Sequence, residues 1–178
     1  MNRLVFAVVI CFLIFLPRVS AQETATGERH DAQSSAMKCP MHDTHSKMNE
    51  RGEKGMGFSQ TATVHHFLLK PDGGVIQVEA KNAADTNNRD DIQMHLTHIR
   101  EAFSNGDFEI PVFVHDTVPP GVPAMKRLRD KIHYSFEQTS SGGRVVITAS
   151  DKDALEAIHE FLIFQIKEHD TGDPTEVR

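Results

Sequence analysis

Two apolar-rich runs, Val64-His65-His66-Phe67-Leu68-Leu69 and Val75-Ile76-Gln77-Val78-Glu79-Ala80, flank Pro71-Asp72-Gly73-Gly74. Glycine tolerates the positive φ of tight hairpin turns, so the segment predicts two antiparallel strands. After the polar run Asn82 to Asn88, residues Ile92, Leu96, Ile99 and Phe103 recur at i, i+4, i+7 and i+11. That spacing predicts one apolar stripe of a long helix. The same plan returns later: Ile132 to Glu137, Ser141-Gly142-Gly143, Arg144 to Ala149, then a helix around Ile158 to Ile166. Gly73-Gly74 superposes on Gly142-Gly143 at an offset of 142 − 73 = 69, which sets Phe67 on Phe136 and Val78 on Ile147.

The second hairpin fixes the phase. Ile132, Tyr134 and Phe136 alternate with His133, Ser135 and Glu137, while Val145, Ile147 and Ala149 alternate with Arg144, Val146 and Thr148. One face of the sheet is covered and the other wetter. Carried to the first hairpin, that phase points His65, Phe67 and Leu69 inward and His66 and Leu68 outward. The predicted fold is α+β: a duplicated β-β-α unit forming a four-stranded antiparallel sheet with helices on one face, preceded by a disordered arm. Repeat 1 covers residues 63–104, a linking segment 105–131 and repeat 2 132–169, within a domain spanning 61–174 and followed by a tail, 175–178.

In the second long helix, capped by Ser150 or Asp151, residues Ala154, Ile158, Phe161, Leu162 and Gln165 share a face. Phe161-Leu162-Ile163-Phe164 is apolar nearly all round. It needs cover beyond the sheet, from the linking segment or from a second copy in a homodimer. Within the linking segment, Val112-Phe113-Val114 reads as a short strand. Pro119-Pro120-Gly121 breaks the chain, and Val122 to Lys131 reads as a helix with Pro123 in its first turn. Its basic end, Lys126-Arg127-Leu128-Arg129, reads as a solvated face suited to a helix C-terminus.

The first 21 residues read as an export signal: Arg3, an apolar run from Leu4 to Leu16, and Val19-Ser20-Ala21 as the cleavage site. The apolar run is shorter than the ~20 residues a spanning helix needs. The expectation is a periplasmic or secreted protein with no membrane association once the signal is removed. Loss of Arg3 and Arg18 leaves 19 − 2 = 17 basic side chains against 25 acidic, a net −8, which argues against nucleic acid and anionic lipid as partners. Of two cysteines, Cys11 leaves with the signal and Cys39 stands alone, so no internal disulfide can form.

Residues 22–60 lack helical or strand periodicity until Phe58, and offer too little apolar area to offset ordering entropy. They read as a flexible arm. Within it lies Met37-Lys38-Cys39-Pro40-Met41-His42-Asp43-Thr44-His45-Ser46-Lys47-Met48. A thiolate, thioethers and imidazoles this close suit Cu(I) first and Zn(II) second, and Cys39, Met41, His42, His45 and Met48 are the candidate ligands. The competing reading is a low-complexity linker in which Cys and Met are incidental. Cys39-Pro40-Met41-His42 resembles the Cys-Pro-Met-His core of short heavy-metal-binding segments in bacterial metal-handling proteins.

All eleven histidines lie beyond the signal. His95 edges the buried stripe of the first long helix, and His98 lies toward solvent. With His65 pointing inward, His65, His95 and His98 could converge at the seam between sheet and helix, where three neutral imidazoles with an open position would suit Zn or Cu(II). The bland alternative is partly buried histidines bonded to backbone carbonyls. His115 beside Asp116 is an imidazole–carboxylate pair on a loop. His133 is expected to face solvent, His159 lies off the stripe, and His169 reads as a structural cation at a helix C-terminus.

The chain has no Gly-x-Ser-x-Gly elbow, phosphate-binding Gly-rich Lys loop, His-Glu-x-x-His or close cysteine pair. Gly57-Phe58-Ser59-Gln60, His65-His66-Phe67, Asp72-Gly73-Gly74, His95-Leu96-Thr97-His98-Ile99, Val118-Pro119-Pro120-Gly121, Met125-Lys126-Arg127-Leu128, and Phe164-Gln165-Ile166 through Thr171-Gly172-Asp173 resemble a family of small exported bacterial proteins without an established role. Some members carry the label aspartate carbamoyltransferase. That enzyme's Ser-Thr-Arg-Thr carbamoyl-phosphate loop is absent here, as is room for its two Rossmann-like domains, so the resemblance implies no catalytic residues. The functional expectation is a transition-metal (copper or zinc) binding protein that takes up or buffers the ion without turnover. The alternatives are a non-catalytic interaction or dimerisation domain with incidental histidines, and a small metal-dependent enzyme using His65, His95, His98 or His115.

Overall fold

The computed structural model describes residues 40–177, with side chains from residue 46 onward. The expected export signal and Cys39 lie outside the described residues. The two hairpins form as the apolar pattern predicts: β1 (Thr63–Lys70) with β2 (Gly73–Ala80), and β3 (Ile132–Gln138) with β4 (Gly142–Ala149). They join edge to edge through β2 and β4 into one antiparallel sheet of order β1-β2-β4-β3.

Two long helices cover a single face of that sheet. In α2 (Thr86–Ser104), Asp85 caps the start by accepting from the Asn88 amide, and Ile92, Leu96, Ile99 and Phe103 are the buried residues. In α5 (Lys152–His169), the Asp151 carboxylate accepts from the Asp153 and Ala154 amides, and all five predicted inward positions are buried. Each helix crosses to the opposite repeat: α2 lies chiefly over β3 and β4, α5 over β1 and β2. Phe67, Leu69, Ile76, Val78, Tyr134, Val145 and Ile147 meet both helices in one core. Gly74 permits the close approach of α5, since a Cβ there would overlap the Leu162 side chain.

The linking segment differs from expectation. Residues Glu109–His115 form a short helix, α3, not a strand. Phe108, Pro111 and Val114 are buried at helical spacing, and the Asp107 carboxylate accepts the Glu109 amide at 2.8 Å. That local start and the three-residue period outweigh the β-branched character of Val112 and Val114. Next, α4 (Val122–Arg127) packs on α5 and is followed by a 3-10 turn, Arg129–Lys131. At Gly121 the backbone has φ +80° and passes so close to α5 that a Cβ would overlap the Ala157 carbonyl. The linking segment thereby covers the apolar run of α5: Phe161 stacks edge-on with Phe108 at 6.0 Å, and both Phe161 and Leu162 are buried.

The second correction concerns the arm. Residues Pro40–Met56 form a helix, α1, where no periodicity was expected before Phe58. Proline at its first position costs no hydrogen bond. Arg51 Nε donates to the Val114 carbonyl at 2.9 Å, and Gly55 faces the Phe113 ring. Met48 and Gly52 are buried and Met56 packs against the core. The docking face is made of methionine and glycine, which bring α1 close without the large aliphatic groups that announce an amphipathic helix. Positions 48, 52 and 56 follow one helical stripe, and the glycine at its centre interrupts the apolar pattern that would announce it.

Candidate functional site

One end of the sheet–helix seam encloses a cavity of about 70 Å³ lined by His65, His95, His115 and His169, with Met56 and Gln165 and apolar walls from Phe67, Leu96 and Phe161. Four separate elements supply the imidazoles: β1, α2, α3 and α5. His65 points inward by strand alternation, directly opposite Val78 in the ladder. His95 flanks the Leu96 stripe. His115 is the last residue of α3, which reverses at Asp116 in a left-handed conformation with φ 54°. His169 closes α5, four residues beyond buried Gln165 and therefore on the same side.

The rings form a chain of contacts. His169 stacks on His65 with centroids 5.7 Å apart and 14° between planes, and meets His115 edge-on at 5.1 Å. Phe58 lies 6.2 Å from His65 and 5.5 Å from His95, so it wedges those two rings together. His115 Nε2 lies 2.9 Å from Gln165 Oε1. Since that amide oxygen can only accept, Nε2 carries the proton and Nδ1 presents a lone pair. Nδ1 is buried with no hydrogen-bond partner, as is His65 Nε2.

Burial decides the charge. His65 and His95 are each pushed down to about 4, in both cases first by desolvation, with smaller contributions from His66 on the former and from His65 and His98 on the latter. Burial also lowers His115, against the raising effects of the Gln165 hydrogen bond and Glu168. These three are neutral at pH 7, the protonation state a ligating imidazole requires.

The expected three-histidine set is only partly brought together. His65 and His95 share the cavity, whereas His98 is exposed and lines a separate groove with Met94 and Glu101 on the outer side of α2. Met48 is buried beside a groove that also reaches His65 and His169. Positions 41, 42 and 45 lie on α1, but their side chains fall outside those described, as does Cys39. Among the described residues, no group of three or more His, Cys, Asp or Glu stands ready-spaced to hold a metal ion.

Of the cavity residues, His169 was expected to be structural, and His115 was a candidate only as a loop pair with Asp116. Gln165 and His169 at i, i+4 continue the buried stripe of α5, a usable signal. His115 was flagged for the wrong partner: it meets Gln165, fifty positions away, rather than the adjacent Asp116. Two other histidines have structural work. His159 Nε2 reaches the Lys70 and Gly73 carbonyls at 2.9 and 3.0 Å, closing the β1–β2 turn. His66 Nδ1 meets Asp173 Oδ1 at 3.0 Å on the edge strand. His133 is exposed, as expected.

No family model matches this chain, and no curated protein or solved structure matches it.

Proposed function

We propose that the domain binds a transition metal ion, copper or zinc, in the cavity between His65, His115 and His169, with His95 and Met56 on its walls. The observation that carries this reading is the pair of buried, unpartnered ring nitrogens, His65 Nε2 and His115 Nδ1, on a single cavity. Buried polar atoms are nearly always satisfied, so two orphans on residues that line one cavity call for a water or an ion. Two imidazoles sharing an ion at the usual Zn–N distance of about 2.0–2.1 Å hold their ring centres roughly 5–6 Å apart. His169 stands at 5.7 and 5.1 Å from its two neighbours, so turning the rings, without moving the backbone, would gather their nitrogens.

Size and charge favour an ion over an organic substrate. The inner space alone, about 70 Å³, is smaller than the roughly 300–1,000 Å³ of small-molecule sites. Neutral imidazoles offer lone pairs without proton competition. Gln165, holding Nε2 of His115, would act as the outer partner that fixes the ligand's tautomer. Uptake or buffering of the ion requires no turnover.

Metal content of the full chain, with His65→Ala and His115→Ala variants, tests the reading. The parent should bind one equivalent of Zn(II) or copper in the fold, and each variant should lose it while keeping its helical circular dichroism. Parent-like binding in both variants would overturn the assignment.

A further inference from the structure

The inner cavity has an antechamber. A groove of about 530 Å³ runs between α1, the 3-10 turn at Gln60–Ala62, β1 and the end of α5, and it is lined by Met48, His65 and His169 among polar neighbours. His65 and His169 therefore belong to both spaces, as the wall between them. Met48 is only 4 % exposed, yet it stands outside the continuous apolar core that contains most other buried hydrophobic side chains. A buried thioether that lines one groove with two imidazoles, and stands outside the hydrocarbon core, is available for coordination as well as for packing. Met56, eight residues further along α1 and so roughly 12 Å away, lines the inner cavity. One helix thus sets a thioether at each of the two spaces.

We infer that Met48, His65 and His169 form an outer position for a soft monovalent ion, Cu(I), from which the ion passes to the inner cavity. The inference rests on the cavity being a metal site and adds its route and its preference. Thioether with imidazole suits Cu(I), whereas Zn(II) draws on nitrogen, carboxylate and thiolate and gains little from a neutral thioether. Transfer needs only ligand exchange: the ion leaves the Met48 sulfur, stays on His65 or His169 as that ring turns, and acquires a nitrogen or sulfur inside. Copper stays Cu(I) throughout, so the exchange needs no oxidant or reductant.

The test uses the full chain with both cysteines changed to serine, leaving methionine as the sole sulfur. Cu(I) is delivered from its bicinchoninate complex and uptake is followed by stopped flow, with Zn(II) affinity measured separately by chelator competition. Met48→Leu preserves volume and burial. The expected result is Cu(I) uptake slower by about tenfold or more, with Zn(II) affinity unchanged. Met48→Ile, read in the same way, guards against a folding defect peculiar to leucine. Uptake at the parent rate in either folded variant overturns the outer position and leaves the inner site standing. A parent that takes up neither ion overturns both.

Discussion

Ile76 pairs across the sheet with Val145, its own counterpart in the second repeat. The offset of 69 that aligns the two halves also carries residue 76 onto residue 145, so the pseudo-two-fold axis passes between these two side chains. Both face the core, with Ile76 8 % and Val145 0 % exposed. Ile76→Ala should cost about 2–4 kcal/mol, and the double variant with Val145→Ala should depart from additivity by about 0.5 kcal/mol or more. Urea denaturation of the four proteins of the cycle measures this. Strict additivity would mean that the axis is a formal symmetry and not a packed contact.

Acid should loosen the domain before its carboxylates titrate. His65 and His95 take up protons near 4 in the folded chain and near 6.5 in the unfolded one. Between those values the unfolded state binds more protons. Stability is therefore complete above about pH 6.5 and is lost as pH falls toward 4, by at most roughly 3 kcal/mol per ring. Thermal midpoints of the metal-free chain should drop across that window, and His95→Leu should flatten the slope. A midpoint constant from pH 6.5 to 4.5 would contradict the neutral, enclosed state of these rings.

Gln165 acts on the proposed site through His115. Gln165→Leu removes the acceptor that fixes the His115 tautomer, and also removes an amide nitrogen that is itself buried without a partner. Metal affinity should fall by about 10- to 100-fold, as for other outer partners of ligating histidines. Stability of the metal-free fold should change little. Gln165→Glu, which keeps the acceptor, should recover most of the affinity. Equal affinity in the Leu variant and the parent would leave Gln165 with a packing role alone.

The segment after α5 clasps the sheet's outer edge. Asp173 accepts from the Phe67 amide at 2.9 Å through Oδ2 and meets His66 Nδ1 at 3.0 Å through Oδ1. It occupies a backbone donor that an edge strand would otherwise present to another chain. Asp173→Ala should cost about 1–3 kcal/mol and should accelerate hydrogen exchange at the Phe67 amide ahead of that in β2. Unchanged exchange at Phe67 would show that the contact does not hold in solution.

What the chain pattern made legible was set by local period. Ile92, Leu96, Ile99 and Phe103 mark their helix because nothing interrupts their spacing, and the alternation around Tyr134 and Ile147 fixes which face of the sheet is covered. Features that depend on distant partners stayed hidden. Nothing near Thr86 or Lys152 says that each helix will cross to the other repeat's hairpin. His115 and His169 meet only because α3 and α5 end at the same place, although the stripe through Gln165 pointed the second of them inward. At α1 the obstacle was chemical: the glycines on its docked face leave no apolar mark between the methionines, so a close-docked helix passed for a linker.

The exchange of helices between repeats bears on synthesis. When Ser104 has left the ribosome, a complete strand-turn-strand-helix unit exists, but the hairpin that α2 is shaped to cover has not yet been made. The oily side of β1 and β2 must likewise wait for the last turn of α5, some hundred residues downstream of β1. Such a domain stays unfinished until α5 has been made and then closes in one late, concerted step. Until α5 is made, the nascent domain therefore remains open to chaperones.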